Sequence, residues 1–121
     1  MNKKRILLID DDRGFTNILR LSLPAYEVSA ENNPLRAVET AERFKPDIIF
    51  LDVIMPNLDG GTLAGELKEE PSLADVPVIF LTAIVSDNES KSVARIGGYE
   101  CLTKPIRHDE LLHCIQRHLG T

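Results

Sequence analysis

Short apolar runs alternate with segments of helical periodicity along the whole chain. We predict strands at residues 5–10, 26–31, 47–52, 77–82 and 99–103. Apolar residues recur every three or four positions in the intervening segments, which predicts helices at 13–23, 34–45, 59–69, 87–97 and 107–119. This regular alternation is typical of βα units built around a parallel sheet.

The polarity of each strand indicates its place in that sheet. The first, third and fourth strands are nearly continuous runs of Ile, Leu, Val and Phe, as expected when helices cover both faces. The second strand, YEVSAE, alternates apolar and polar residues, which favours an edge position. We find no repeat, linker or low-complexity tract, so residues 1–121 are predicted to form a single domain.

Turn and capping residues separate these elements. Asn33 before Pro34 is an N-cap followed by proline in the first helical turn, and Ser86 with Glu89 fits a capping box. Pro71 ends the third helix, and the pair Gly97-Gly98 is interpreted as the end of the fourth. Asp12 and Asp59 are predicted to cap the first and third helices.

Composition excludes several classes of protein. The net charge of −5 argues against a nucleic-acid-binding surface, which needs clustered Lys and Arg. Two cysteines are too few for a disulfide framework, and each lies in a periodic segment, which favours a reduced chain. The apolar runs are too short to cross a membrane. We therefore expect a cytoplasmic location.

Chemically active side chains follow four of the predicted strands. Asp10 and Asp11 follow the first strand, Asp52 ends the third, Thr82 ends the fourth and Lys104 follows the fifth. Parallel strands bring their carboxyl ends to one edge, where open α/β sheets bind ligands. Two carboxylates about 4 Å apart repel by about 4 kcal/mol at an effective dielectric near 20. A cluster of three therefore favours a divalent cation, and hard oxygen ligands suit Mg²⁺.

Four motifs in the right order resemble the receiver domains of two-component response regulators. They are the acidic pair Asp10-Asp11, LD-x-x-MP-x-x-DG from Leu51 to Gly60, LTA around Thr82 and TKP around Lys104. The resemblance covers essentially all of residues 5–119. It implies a doubly wound, flavodoxin-like (βα)5 sandwich with five parallel strands in the order 2-1-3-4-5.

The resemblance also implies a metal site. Asp11 and Asp52 would contact Mg²⁺ directly, while Asp10 would act largely through water. The backbone carbonyl of Ile54, two residues past Asp52, is the implied main-chain ligand.

Phosphoryl transfer is the implied chemistry of that site. Asp52 would be the nucleophile that accepts the phosphoryl group as an acyl phosphate. Lys104 would place a positive charge on the phosphoryl oxygens, and the Thr82 hydroxyl would follow the modification. The family also implies a cis peptide bond before Pro105, which holds Lys104 in place.

The predicted function is a phosphorylation-dependent signalling switch that changes its affinity for partners. Its phosphodonor would be a histidine kinase or a histidine phosphotransfer protein. Its output partner would bind the face formed by the fourth helix, the fifth strand and the fifth helix. Such a domain catalyses its own phosphorylation and dephosphorylation but is not a turnover enzyme.

Three alternatives remain open from the residues. A phosphatase of the haloacid dehalogenase type also uses a strand-end Asp and Mg²⁺, but Gly14 stands where its motif needs a hydroxyl or β-branched residue. A flavodoxin-like cofactor carrier needs a Ser/Thr/Gly-rich phosphate loop, whereas Asp10, Asp11 and Asp12 would repel a phosphate. A degenerate receiver would act only as a docking module, and the complete acid, Thr and Lys set argues against it.

Two positions depart from the family pattern. Cys101 lies three residues before Lys104, where receivers usually carry Tyr or Phe, and Tyr99 lies two residues earlier on the same face. Arg107 occupies the N-cap position of the last helix, where Ser or Thr is common. We therefore expect the switch to use backbone motion rather than a large aromatic rotamer flip.

A further expectation concerns the lifetime of the acyl phosphate. Ile54 and Ile84 would flank the line of water attack in a receiver, and neither can orient a water, so the acyl phosphate should be long-lived.

His108, His113 and His118 lie five residues apart on the last helix, on different faces. They are predicted to be solvated surface residues rather than a metal site.

Overall fold

The computed structural model describes residues 3–55, 58–83, 95–96 and 99–120. Its main sheet contains five parallel strands: β1 Arg5–Ile9, β2 Glu27–Glu31, β3 Ile48–Asp52, β4 Val78–Thr82 and β5 Tyr99–Thr103. They lie in the order β2-β1-β3-β4-β5. The predicted strand order and the edge position of β2 are confirmed.

In the described ranges, four helices cover the two faces of this sheet, namely α1 Arg13–Leu21, α2 Ala37–Phe44, α3 Gly60–Glu69 and α4 His108–Leu119. Alternate strand residues point to opposite sides. Leu7 and Ile49 join one buried cluster with residues of α2 and α3, while Ile6 and Ile48 join another with residues of α1 and α4. The fold is therefore the expected doubly wound α/β sandwich, with both faces of β3 and β4 buried.

The capping residues act largely as the sequence predicts. The Asp12 side chain accepts a hydrogen bond from the Phe15 amide at the start of α1. The helix predicted at 34–45 begins as a 3-10 turn, Pro34–Arg36, in which the Asn33 side chain accepts from the Leu35 amide, and α2 follows from Ala37. Pro71 comes two residues after the end of α3, as predicted.

The helix predicted at 87–97 is wrong at its carboxyl end. Arg95–Ile96 pair antiparallel with the start of β5, Arg95 opposite Glu100 and Ile96 opposite Tyr99. In sequence, two glycines separate the paired segments, and such a dipeptide is a hairpin signal as well as a helix stop. Residues 84–94 and 97–98, with the predicted capping box and glycine stop, lie outside the described residues.

Within the described ranges, no helix combines the length and apolar character needed to cross a membrane.

Candidate functional site

The strand register brings the predicted site residues to one edge of the sheet. β3 ends at Asp52, opposite Leu81, one residue before the end of β4 at Thr82. The Lys104 amide, just past β5, donates to the Thr82 carbonyl at 2.7 Å. Asp10 follows β1, which pairs directly with β3. Residues from four separate strands thus share one rim.

Three carboxylates meet at the centre of this rim. One oxygen each of Asp10, Asp11 and Asp52 lies within 4.8 Å of the others. Asp10 and Asp52 are buried, whereas Asp11 is exposed. At this separation the charges repel one another, so the cluster favours a cation among them. The donor set is all oxygen and one side is open, which fits Mg²⁺ with several of its waters.

The Lys104 ammonium supplies a positive charge inside the cluster. Its Nζ lies 2.7 Å from Asp10 Oδ2 and 3.7 Å from Asp52 Oδ2. It also lies 4.3 Å from the centroid of the Phe15 ring, within cation–π range. The peptide bond from Lys104 to Pro105 is cis, as expected. Phe15 of α1, which packs against the buried cluster on that side of the sheet, therefore also supports the ammonium.

Both carboxylate oxygens of Asp10 accept hydrogen bonds within the protein. Oδ2 accepts from Lys104, and Oδ1 accepts from the Asp12 amide at 3.0 Å. The Asp10 carboxylate is therefore held by its own loop and by the end of β5.

Asn32 is a site-positioning residue that the sequence analysis missed. Its Nδ2 donates to the Asp10 carbonyl at 2.7 Å and to Thr16 Oγ1 at 3.1 Å. The Asp10 amide in turn donates to the Glu31 carbonyl. Asn32 therefore ties the acidic loop to the end of β2. An amide side chain just past an edge strand was the available signal, but by itself it resembles an ordinary turn residue.

Gly60 sets the close packing of the chain that follows Asp52. A Cβ at this position would lie 2.6 Å from Val53 Cα and 3.0 Å from the Asp52 carbonyl oxygen. The Asp59 side chain caps α3 by accepting from the Gly61 amide, as predicted. The DG pair thus starts α3 directly against the backbone of Asp52.

Two predicted site residues have a defined position but no assigned role. Thr82 is buried, with 2% of its surface exposed, at the carboxyl end of β4. Ile54 lies in a short strand, Ile54–Met55, that pairs antiparallel with Leu58–Asp59. Its carbonyl as a metal ligand stays a prediction, and Ile84 lies outside the described residues.

An aromatic stack lies beside Cys101 at the boundary between β4 and β5. The rings of Phe80 and Tyr99 lie 4.8 Å apart at an interplanar angle of 28°. Cys101 pairs with Phe80 across the strands and is buried in the same cluster. Tyr99 and Cys101 therefore share a face of β5, as predicted, and Tyr99 contacts β4 two residues before Thr82.

His118 is exposed, as predicted, but its ring also contacts a carboxylate on β5. Its Nε2 lies 3.0 Å from Glu100 Oε1, and Glu100 also contacts Arg117 and the Cys114 thiol. The hydrogen bond from Arg117 lowers the pKa of Glu100 to about 2, and burial raises the pKa of Cys114 to about 12. A strand residue brings these helix positions together, which helical spacing alone did not reveal. His108 and His113 are exposed, as predicted.

Comparisons with known proteins agree with this geometry. The family profile described as the response regulator receiver domain matches residues 6–116. Response regulator PleD of Caulobacter vibrioides is 38% identical over 104 residues, 84% of this chain and 23% of PleD. Response regulator MprA of Mycobacterium leprae is 38% identical over 110 residues, 89% of this chain and 47% of MprA.

Solved structures show the same fold. A response regulator from Desulfuromonas acetoxidans superimposes with a TM-score of 0.78 at 27% identity, covering 97% of each chain. The chemotaxis protein CheY4 of Vibrio cholerae superimposes with a TM-score of 0.81 at 24% identity, covering 97% of this chain and 99% of CheY4.

The chain belongs to the response regulator receiver domain family, whose members work in phosphorylation-dependent two-component signalling. It spans less than half the length of PleD and of MprA. None of these matches supports the haloacid dehalogenase alternative.

Proposed function

We propose that this chain is a phosphoacceptor switch in which Asp52 receives a phosphoryl group from a phosphohistidine. The carrying observation is the cluster of three carboxylates within 4.8 Å, with the Lys104 ammonium 3.7 Å from Asp52 Oδ2. Residues 1–121 act as one domain in this proposal. The location is cytoplasmic, where histidine kinases present their phosphoryl groups.

The proposed reaction is an in-line displacement at phosphorus. An Asp52 carboxylate oxygen forms the new bond to phosphorus as the bond from phosphorus to the donor imidazole nitrogen breaks. The bonding electron pair goes to that nitrogen. The ring leaves as neutral imidazole when its other nitrogen already carries a proton, and otherwise it takes up one proton from solvent. Lys104 stabilises the charge on the phosphoryl oxygens from its position beside Asp52.

Asp11 and Asp52 would hold Mg²⁺ directly, with Asp10 contributing through water and Ile54 through its carbonyl. When bound, the cation would offset charge on the transferring phosphoryl group. Asp10 is suited to the indirect role because both of its oxygens already accept hydrogen bonds.

Phosphorylation would alter the partners of Lys104 and Thr82. In the structure Lys104 lies closer to Asp10 than to Asp52. A phosphoryl group adds a charge of about −1.5 to −2 and strong acceptor oxygens, so Lys104 and the Thr82 hydroxyl would turn toward Asp52. The Thr82 carbonyl accepts from the Lys104 amide, so the ends of β4 and β5 would respond together.

The product of this reaction is the modified protein itself, so the chain is a switch and not a turnover enzyme. Autodephosphorylation would be slow, because Ile54 and Ile84 cannot orient an attacking water.

A direct test is labelling with acetyl phosphate, followed by intact-protein mass spectrometry. Wild type with Mg²⁺ should gain one phosphoryl group, and EDTA should prevent the gain. Asp52→Asn should stay unmodified, whereas Asp59→Asn is a matched control that keeps a good N-cap and should be modified like wild type. Stoichiometric modification of Asp52→Asn would refute the assignment.

The phosphodonor protein is proposed to dock on an apolar groove next to the site. The groove is lined by Phe15, Leu19, Pro105 and Ile106, with Lys104 at its rim. Ile18 also lines the groove, and 67% of its surface is exposed. A donor imidazole must reach Asp52, so its protein must cover this adjoining surface. Ile18→Asp should slow transfer from a histidine phosphotransfer protein while leaving labelling by acetyl phosphate unchanged. Equal slowing of both would contradict the proposal.

A further inference from the structure

Three potential metal ligands of different chemistry meet away from the acidic rim. Glu100 lies on β5, and Cys114 and His118 lie one turn apart on α4, so that both face the strand. One ligand atom of each lies within 4.8 Å of the others. Glu100 precedes Lys104 by four residues, about 13 Å along an extended strand. The cluster is therefore separate from the Asp52 site.

We propose that Glu100, Cys114 and His118 bind a divalent cation of the zinc class. A thiolate, an imidazole nitrogen and a carboxylate oxygen form a ligand set typical of Zn²⁺ rather than of Mg²⁺. Three protein ligands leave a fourth tetrahedral position for water or for a side chain of a bound protein.

The spacing of the ligand atoms suits such an ion. With zinc–ligand bonds of about 2.0 to 2.3 Å, tetrahedral ligand atoms lie roughly 3.3 to 3.6 Å apart. His118 Nε2 lies 3.0 Å from Glu100 Oε1, and Cys114 Sγ lies 3.7 Å from Glu100 Oε2. Small side-chain adjustments therefore suffice to admit the ion.

Charge balance identifies Arg117 as the group that the ion displaces. Arg117 forms an ion pair with Glu100, and Nη1 lies 3.0 Å from Oε1. On binding, the thiol loses its proton to solvent, so thiolate, carboxylate and a divalent cation sum to zero. Arg117 has 47% of its side chain exposed and can turn into water. Arg117 is thus a competitor for the site, and its removal should tighten binding.

The site would couple metal binding to the fold on the β5–α4 face. A bound cation would fasten the start of β5 to the last turns of α4 through three bonds. The buried Cys114 and the partly exposed His118 give one anchored and one accessible ligand. This linkage is independent of phosphorylation at Asp52.

Cobalt(II) is the probe, because thiolate ligation gives a near-ultraviolet charge-transfer band and tetrahedral geometry gives intense visible bands. The 121-residue chain should show both, and Zn²⁺ should abolish them stoichiometrically. The bands should persist in Asp52→Asn and in Cys101→Ser, the matched buried cysteine. They should be lost in Cys114→Ser and weakened, with more than about tenfold lower affinity, in His118→Gln.

Further variants test whether the cation binds at this site or elsewhere on the protein. His113→Gln, on an exposed position of the same helix, should leave affinity unchanged, and Arg117→Gln should raise it. Circular dichroism checks folding, and His118→Gln carries the test if Cys114→Ser does not fold. Absence of the charge-transfer band in wild type, or its persistence in Cys114→Ser, would overturn the proposal. The failure of acetyl phosphate labelling would leave it standing.

Discussion

At the level of single residues, Gly60 has backbone neighbours that leave no room for a side chain. We predict that Gly60→Ala lowers the free energy of unfolding by roughly 1 to 3 kcal/mol, because the new Cβ must displace the backbone at Val53 or Asp52. The same shift should slow acetyl phosphate labelling of Asp52. Urea denaturation and mass spectrometry measure the two effects.

Gly65 supplies the control for that substitution. It lies within α3, and a Cβ there would meet no atom within 4 Å. Gly65→Ala should raise stability by about 0.5 to 1 kcal/mol, because alanine favours a helix interior. Equal effects of the two substitutions would mean that backbone contact at Gly60 is unimportant.

Lys45 is the one non-glycine residue with positive φ in the described part of the chain. It ends α2 with φ 56° and ψ 63°, a left-handed conformation that disfavours a side chain. Lys45→Gly should therefore raise the free energy of unfolding by about 0.5 to 1 kcal/mol. Glu42→Gly, inside the same helix, should lower it by about 1 kcal/mol. Thermal and urea melts of both variants would show whether the signs differ.

At the level of elements, Glu100 links β5 to α4. The hydrogen bond from Arg117 lowers the pKa of Glu100 from 4.5 to about 2. The ionised carboxylate therefore stabilises the fold fully at pH values above its unfolded-state pKa. Glu100→Gln should reduce the free energy of unfolding near neutral pH by roughly 1 kcal/mol. Because the folded pKa is the lower one, this difference should shrink as pH falls from about 4.5 toward about 2.

The measurement is urea denaturation of wild type and Glu100→Gln across that acid range. Among the side chains that the structure describes, Arg117, His118 and Cys114 contact the carboxylate. Glu66→Gln, which removes a carboxylate at an exposed position on α3, is the matched control and should change the free energy of unfolding little. A Glu100→Gln difference that stays constant down to the acid limit would rule out the ion pair as its source.

At the level of the whole molecule, the Phe80–Tyr99 stack joins β4 to β5 beneath the site. We predict that Tyr99→Ala reduces the phosphorylation-induced NMR shift changes at the Thr82 and Ala83 amides, because that contact is lost. Cys101→Tyr should enlarge these changes, because the added aromatic ring would favour the phosphorylated state. A substitution shifts the equilibrium only by its preference between the two states.

Phe44→Leu is a suitable control for this switch prediction. Phe44 packs against the same buried cluster from α2. However, α2 contacts β1 and β2, which lie at the opposite end of the sheet from β5. It should leave the shift changes at Thr82 close to those of wild type. Identical responses from all variants would mean that β5 takes no part in the switch.

The sequence alone predicted most of the fold. Hydrophobic periodicity is a local property, and it gave all five parallel strands and the four described helices to within a few residues. Asp12 and Asp59 were predictable because capping involves neighbours in sequence. The error at Arg95–Ile96 arose because a glycine pair ends a helix and joins a hairpin equally well.

The sequence determined which chemical groups stand at the ends of the strands, since each group follows directly from its own strand. Only the tertiary structure decided their partners. Lys104 lies closer to Asp10, 94 residues away in sequence, than to Asp52, and Asn32 reaches the Asp10 carbonyl from β2. The meeting of Glu100 with Cys114 and His118 likewise depends on how α4 packs on β5. Such contacts depend on strand register and helix packing, which are set by the whole chain and leave no local pattern.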